Sequence, residues 1–128
     1  MTDTIVVVDG GMAIVTNRLR DSGTTPLFIE WGIGAVTAAA ANTALGSAGA
    51  HESRTAGAMT QQDTNVTNDT FQVVGTITCV TGAKAITEAG LFDASTSGNM
   101  FLRGTFSAIN VSVADSIEFT IKAAFDQA

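Results

Sequence analysis

The pattern that decides the fold lies in residues 116–125, where Ile117-Glu118-Phe119-Thr120-Ile121-Lys122 alternates apolar and polar side chains. Successive side chains of a β-strand point to opposite faces of the sheet, so this alternation predicts a strand with one buried and one solvated face. Residues 71–80 repeat the pattern, with Phe71, Val73, Ile77 and Cys79 on one face. We therefore expect the apolar side chains of both segments to be mostly buried.

Three further segments have the composition of strands, namely residues 27–31, 84–93 and 100–106. Clusters of Gly, Ser, Asn and Pro separate them, as is typical of turns. Residues 35–50 are rich in Ala, Gly, Thr and Ser; because glycines interrupt the Ala-rich run, they predict a loop with at most one turn of helix. The connector at 108–115 also predicts a loop. Several short strands joined by turns indicate a mainly β fold, either an antiparallel β-sandwich or a jelly-roll-like domain.

The N-terminal segment combines a strand pattern with a short helix. Ile5, Val6, Val7 and Val8 form a β-branched run that stops at the turn-like Asp9-Gly10-Gly11. Apolar side chains at Met12, Val15 and Leu19 then have helical spacing. We expect one domain over residues 1–128, with residues 1–10 as an N-terminal strand or arm and 11–128 as the β-rich body. The run Ile5 to Val8 is the candidate interaction segment, because such an arm can add a strand to a neighbouring chain.

Composition limits the classes of partner. The chain has a net charge of −6 with only six Lys and Arg residues, which argues against direct binding of nucleic acid. Apolar residues make up 45% and charged residues 14%, which predicts that part of the surface is buried in contacts with other chains. No apolar run reaches the roughly 20 residues that cross a bilayer, and the N-terminus lacks a basic signal-peptide region. We expect no membrane partner and synthesis in a cytoplasm.

No group of residues forms a recognisable catalytic, cofactor or metal site. His51 is the single histidine and Cys79 the single cysteine; we expect His51 at a surface or interface and Cys79 in the core. Gly32-Ile33-Gly34 only begins a phosphate-loop pattern, since the third glycine would fall at Thr37, and a tight turn explains both glycines better. Residues 63–69 approximate a calcium loop without its glycine and terminal Glu. Asp9, Asp63, Asp69 and Asp115 stand beside turn residues that carboxylates cap. We expect a protein that is not an enzyme.

The sequence also predicts an ion pair, provided that the strands at 84–93 and 100–106 form a hairpin with a particular register. If Asp93 faces Met100 across the six-residue connector, Glu88 lies opposite Thr105. Arg103 is then the diagonal neighbour of Glu88 on the same face. We predict a structural ion pair between Glu88 and Arg103; the alternative is that Glu88 points to water.

Three segments together carry a resemblance to a known group of proteins. They are Phe28-Ile29-Glu30-Trp31-Gly32-Ile33-Gly34, Asn42-Thr43-Ala44-Leu45-Gly46 and Ile86-Thr87-Glu88-Ala89-Gly90-Leu91-Phe92-Asp93. In this combination the chain resembles small structural proteins of tailed bacteriophage particles, over roughly residues 27–125. The closing segments at 100–103, 109–110 and 115–121 are similar to that group as well. The group often has an acidic residue and an Arg directly after the segment that contains Leu45. In this chain Glu52 and Arg54 come only after the insertion-like residues 46–50, which is a departure from the group.

The resemblance implies a virion structural protein and leaves its place in the particle open. Because the chain is short and has neither coiled-coil heptads nor a collagen-like repeat, it suits a compact cap better than a fibre shaft. We expect a capsid cement or decoration protein on the phage head that binds the major capsid protein, and a homotrimer if it occupies local threefold positions. The alternatives are a tail, collar or baseplate/fibre component and, more weakly, a carbohydrate-binding module.

Overall fold

A computed structural model describes residues 4–47 and 52–126 of the chain. The elements in these residues are one helix and eight strands. In chain order they are β1 (Thr4–Val7), α1 (Asp9–Leu19), β2 (Phe28–Gly32), β3 (Thr55–Ala56), β4 (Ala58–Gln62), β5 (Thr70–Thr78), β6 (Lys84–Phe92), β7 (Met100–Val111) and β8 (Ser116–Ala124). The predicted class, mainly β with one short helix near the N-terminus, is confirmed.

The strands form two antiparallel sheets. The large sheet has the order β1-β7-β6-β2-β3, and the small sheet has the order β4-β5-β8. Their facing side chains build the main core, in which Trp31 of β2 meets Phe119 of β8 edge to face with ring centroids 6.4 Å apart. The arrangement is sandwich-like, because each sheet buries one apolar face against the other.

The apolar side chains that alternate along β5 and β8 face the core between the two sheets, as the alternation predicted. Val73, Ile77 and Cys79 of β5 and its continuation are buried in the main core. The inward side chains of β8 are only partly buried, but they pack against this core and are less exposed than their polar neighbours. The expected face is therefore confirmed, with β8 closer to solvent than β5.

The structure corrects one predicted loop and one predicted turn, and it contains two strands that the sequence did not predict. β7 continues to Val111, because Ile109 and Val111 pair with Ile86 and Lys84 of β6, so half of the expected 108–115 loop is strand. Strands β3 and β4 were not predicted, because β4 is exposed along most of its length and has no apolar alternation. The helix starts at Asp9 rather than at Met12, and the Gly10-Gly11 pair lies in its first turn instead of a loop.

The β6–β7 hairpin has a bulge close to its connector. Met100 pairs with Phe92 instead of the expected Asp93, and the register shifts between Leu91 and Phe92. Beyond this bulge Glu88 lies opposite Thr105, as the sequence predicted. The bulge therefore changes the hairpin end without moving Glu88 from its place beside Arg103.

A third layer covers the outer face of the large sheet. Residues 33–47, which we call the covering segment, run over this face without a helix or strand, as the small-residue composition predicted. Leu45 of this segment packs with Val8, Phe92 and Met100 in a second apolar cluster. Side chains on the outer face of β6 and β7 are consequently enclosed between the sheet and the covering segment.

Candidate functional site

The carboxylate of Glu88, on the outer face of β6, is fully buried and accepts backbone hydrogen bonds at both of its oxygens. Its Oε2 atom accepts backbone hydrogen bonds from Gly34 at 2.6 Å and from Ser47 at 2.8 Å. Its Oε1 atom accepts one from Gly46 at 2.7 Å. Three amides from the two ends of the covering segment thus converge on one side chain.

Arg103 of β7 completes this centre. Its Nε and Nη2 atoms both lie 3.0 Å from Glu88 Oε1. Nη1 donates to Asn42 Oδ1 at 2.9 Å, and Nη2 donates to the carbonyl of Val36 at 2.8 Å. Glu88 and Arg103 are fully buried, at 0% and 1% exposure. The structure therefore contains the ion pair that the sequence predicted, and Glu88 does not point to water.

Gly32, the last residue of β2, and Gly34 just after it are not explained by the tight turn that the sequence predicted. A Cβ atom at Gly32 or Gly34 would lie less than 3 Å from Glu88 Oε2. Neither glycine has a positive φ, so the requirement at these positions is space rather than backbone freedom. Gly32 and Gly34 make room for the buried carboxylate.

The segments that carried the resemblance meet at this Glu88–Arg103 centre. The first supplies Gly32 and Gly34, the second Asn42 and Gly46, and the third Glu88 itself. Sequence reasoning predicted the ion pair but missed the covering segment as its main hydrogen-bond donor. In the sequence, the only sign of this attachment was three separate motifs, and nothing in them shows that they contact one another.

Electrostatics hold Glu88 in its charged form. Burial alone raises the pKa of the Glu88 carboxyl, but hydrogen bonds from the covering-segment amides and from Arg103 outweigh burial. The net shift is downward, so the pKa of Glu88 lies below its usual value. Because amides and a guanidinium occupy both oxygens, this carboxylate is placed for structural support and not for proton transfer.

Glu52 forms a second polar centre against the turn after β5. Its carboxylate accepts hydrogen bonds from Trp31 Nε1 at 2.9 Å, from the backbone amides of Val80 and Thr81 at 2.7 and 2.9 Å, and from Lys84 Nζ at 3.1 Å. Burial raises the pKa of Glu52, but hydrogen bonds from the backbone amides of Val80 and Thr81 and from the Thr81 hydroxyl more than offset it, and the pKa falls well below normal. Burial lowers the pKa of Lys84, whereas the Glu52 carboxylate raises it, and the net shift is upward. This centre fixes the 79–83 turn beside β2.

Arg54 links the edge of the large sheet to the β6–β7 connector. Its guanidinium lies 3.6 Å from the ring centre of Phe92 and pairs with Glu30 at 3.3 Å. Nη1 donates to the carbonyls of Ala94 and Ser97 at 2.9 and 2.7 Å. Glu52 and Arg54, which departed from the resembled pattern, therefore both have internal partners.

The predicted interaction segment belongs to the protein's own sheet. In β1, Ile5 and Val6 pair with Gly104 and Arg103 of β7. Val8 is fully buried, and Val7 packs against the main core. The expectation of a free arm over Ile5 to Val8 is wrong for Val7 and Val8, which pack inside the fold. Ile5 is 71% exposed at the edge of the large sheet, and Thr2 lies outside the described residues.

The remaining candidates are explained by local structure. Cys79 is buried, as predicted, and its thiol donates to the Gly82 carbonyl at 3.1 Å. Asp69 accepts the amides of Thr64, Asn65 and Val66 at 2.8 to 3.0 Å, so its oxygens point to the backbone of the supposed calcium loop. Within residues 4–47 and 52–126, no three His, Cys, Asp or Glu side chains are grouped to hold a metal ion. His51 lies outside the described residues.

An apolar groove opens beside α1 on the surface. It has a volume of about 300 Å³ and is lined chiefly by Ile14, Val15, Leu19, Pro26, Phe71 and Phe125. Leu19 is 82% exposed and Phe125 58% exposed.

No helix in the described residues is long and apolar enough to span a membrane.

No protein-family model, curated protein or solved structure matches this chain.

Removing the charge of Glu88 should destabilise the fold strongly. In a Glu88→Gln variant the amide group faces donors, which leaves Arg103 as a buried, uncompensated charge. We expect a loss of about 3–5 kcal/mol in the free energy of unfolding, measured by urea denaturation. The control is Asp21→Asn, an exposed carboxylate in a conformation that Asn tolerates, which should change stability by less than about 0.5 kcal/mol. Equal unfolding midpoints for Glu88→Gln and the parent would contradict the assignment.

Acid should weaken the fold through the carboxylates with lowered pKa values, Glu52, Asp69 and Glu88. For Asp69 the lowering comes chiefly from the amide of Val66 and the hydroxyl of Thr70. In the unfolded chain these groups bind protons near their ordinary pKa values of 3.8 to 4.5, whereas the folded chain keeps them charged. The unfolded state therefore binds more protons, and stability falls as the pH drops below about 5. Melting temperatures between pH 7 and pH 3 test this, and a melting temperature that is constant or rises toward pH 3 is the contrary result.

Proposed function

We propose that this chain is a structural subunit of a bacteriophage virion, and specifically a capsid cement or decoration protein. Its partner is the major capsid protein, and its place is the phage head after synthesis in the host cytoplasm. The proposal rests mainly on one observation: the most deeply buried charged side chains, Glu88 and Arg103, pair with each other inside the fold. Such a protein works by packing, not by chemistry.

The internal use of charge supports a packing role. Each of the three ion pairs in the described residues, Glu30–Arg54, Glu52–Lys84 and Glu88–Arg103, joins separate segments of the chain. Backbone amides donate to both carboxylate oxygens of Glu88 and to Oε2 of Glu52, while Oε1 of Glu52 accepts from Trp31 and Lys84. Neither carboxylate is therefore free to serve as a base. What the described surface offers instead is exposed apolar side chains, such as Leu19, Val36 and Val80. Exposed apolar surface of this kind is typical of contacts between proteins.

The positions of the resembling motifs also favour the proposal. Motifs that are unrelated by function could fall anywhere on a fold, but these three meet at the Glu88–Arg103 centre. A shared centre that fixes a covering segment is a reason for one group of structural proteins to retain the same residue types. This supports a place for the chain among small virion proteins and does not distinguish head from tail.

The head is favoured over the tail by the compact sandwich, which has no shaft-like extension in the described residues. A homotrimer follows if the protein sits at local threefold positions, because assemblies match the symmetry of the site they occupy. A tail, collar or baseplate/fibre component is the second candidate. The carbohydrate-binding alternative is weaker, because the single Trp31 is fully buried and the chain has no Tyr, so neither ring can stack on a sugar.

A cement protein stabilises a shell by mass action. A molecule that binds only the intact lattice stabilises each site by about 2.7 kcal/mol at a hundredfold excess over its Kd. We expect particles stripped of this protein to release their DNA at a lower temperature than complete particles. Adding the purified chain back should restore the release temperature, measured by the fluorescence of a dye that binds free DNA.

The matched control is an unrelated acidic protein of similar size, which should restore nothing. DNA release at the same temperature with and without the chain would contradict the cement proposal. Labelled protein found only on tails would replace it with the second candidate. Binding to immobilised polysaccharide, with none to particles, would replace it with the carbohydrate-binding module.

A further inference from the structure

Strand β8 lies at one side of the small sheet, and only one of its two edges is paired within the described residues. β8 pairs along its whole length with β5, from Ser116 opposite Thr78 to Ala124 opposite Thr70. In the part of the chain that the structure describes, no strand pairs with its other edge. A long edge strand with free backbone groups is a template for another strand unless the protein blocks it.

The direction of the free backbone groups follows from the two ends of β8. The Asp115 carbonyl accepts a hydrogen bond from Cys79, and the Phe125 amide donates to Asp69, so both residues direct their backbone toward the β5 side. Backbone groups alternate in direction along a strand, and the β5–β8 ladder has no register shift. The residues whose amides and carbonyls face outward are therefore Ser116, Glu118, Thr120, Lys122 and Ala124.

The side chains at this edge include two charges without an opposite charge nearby. Glu118 and Lys122 are exposed, and neither forms an ion pair within the described residues. Their neighbours across the ladder on β5 are the neutral Thr76 and Gln72. The two charges are four residues apart, with Thr120 midway between them.

We propose that two copies of this chain associate through the free edges of β8, antiparallel and with a two-fold axis at Thr120. In this register Glu118 of each copy faces Lys122 of the other, and Thr120 faces Thr120. Phe119 of one copy lies opposite Ile121 of the second on the inner face. About ten backbone hydrogen bonds join the edges, one donor and one acceptor from each outward-facing residue. The two small sheets become one continuous sheet of six strands.

Charge complementarity selects this register over its neighbours. A two-fold axis at Glu118 or at Lys122 would bring like charges directly opposite each other, which destabilises a strand pair. An axis at Phe119 or Ile121 would leave both charges opposite neutral residues. Only the axis at Thr120 pairs every charge of the edge, which makes β8 its own best partner.

The association stands on the geometry of β8 and does not depend on the virion proposal. A two-fold contact requires an even number of chains. It gives a dimer where it is the sole contact, and a hexamer where a separate threefold contact also forms the trimer proposed above. A trimer alone, at any protein concentration, contradicts it.

The test measures association of the full chain by sedimentation equilibrium. Glu118→Lys and Lys122→Glu each place like charges opposite each other in both pairs, so each should weaken dimerisation at least tenfold. The double variant Glu118→Lys with Lys122→Glu restores opposite charges and should return the dissociation constant to within about threefold of the parent value. The two single changes alter net charge in opposite directions, so a shared loss cannot come from net charge. A parent that stays monomeric, or single variants that associate like the parent, would overturn the proposal.

A cysteine cross-link tests the axis without depending on charge. Thr120 faces itself across the axis, with Cα atoms at about 5.5 Å, which is within the range that a disulfide spans. Oxidised Thr120→Cys should form a covalent dimer, whereas Thr76→Cys, exposed on the central strand β5, should form no covalent cross-link although the two copies still associate. The native Cys79 is buried and does not compete. Failure of Thr120→Cys to cross-link, or equal cross-linking by Thr76→Cys, would overturn the register.

Discussion

The buried ion pair between Glu88 and Arg103 is the constraint on which the rest of the structure depends. A carboxylate and a guanidinium enclosed under a loop are tolerated only if nearly every lone pair and proton has a partner. The covering segment provides those partners with the amides of Gly34, Gly46 and Ser47 and the oxygens of Val36 and Asn42. The pair and the segment therefore require each other. Without the segment the charges would be unsatisfied, and without the charges the segment would lose its main attachment.

This constraint divides the large sheet into two chemically different faces. One face is apolar and packs against the small sheet, with Trp31 and Leu91 at its centre. The other face has an ion pair in place of an apolar centre, with Leu45 and Phe92 beside it. A segment of small residues can follow that face closely, since Gly32 and Gly34 leave room for the carboxylate. The domain gains a third layer without a third sheet or a second helix.

The same use of charge bears on function. Three of the six basic residues, Arg54, Lys84 and Arg103, are engaged inside the fold with acidic partners. The described surface that remains is acidic on balance and has several exposed apolar side chains. Such a surface suits contact with other protein subunits better than contact with nucleic acid. A subunit of a virion shell, as proposed, would use it in this way.

Much of the fold could be predicted from local patterns, because the period of two in β5 and β8 is a direct consequence of strand geometry. The Glu88–Arg103 pair was also predictable, because the pairing from Leu91 to Glu88 has the expected register and the two register shifts lie on either side of this stretch. The attachment of the covering segment was not predictable, since its donors are backbone amides that leave no side-chain pattern. β4 lacked a signal for a similar reason, being polar and exposed. The run Ile5 to Val8 suited an arm as well as a strand, and only the pairing with β7 distinguishes the two.

The most direct measurement is amide hydrogen exchange at Gly34, Gly46 and Ser47, compared between the parent and a Glu88→Gln variant under conditions where both remain folded. The account predicts slow exchange of these three amides in the parent, because each donates to Glu88 in a buried site. In the variant they should exchange at least tenfold faster and lose most of their protection, whereas the amides of the β5–β8 ladder, although faster because the whole fold is less stable, should stay clearly more protected than these three. If these three amides exchange freely in the parent, or keep their protection in the variant, Glu88 does not hold the covering segment on the sheet.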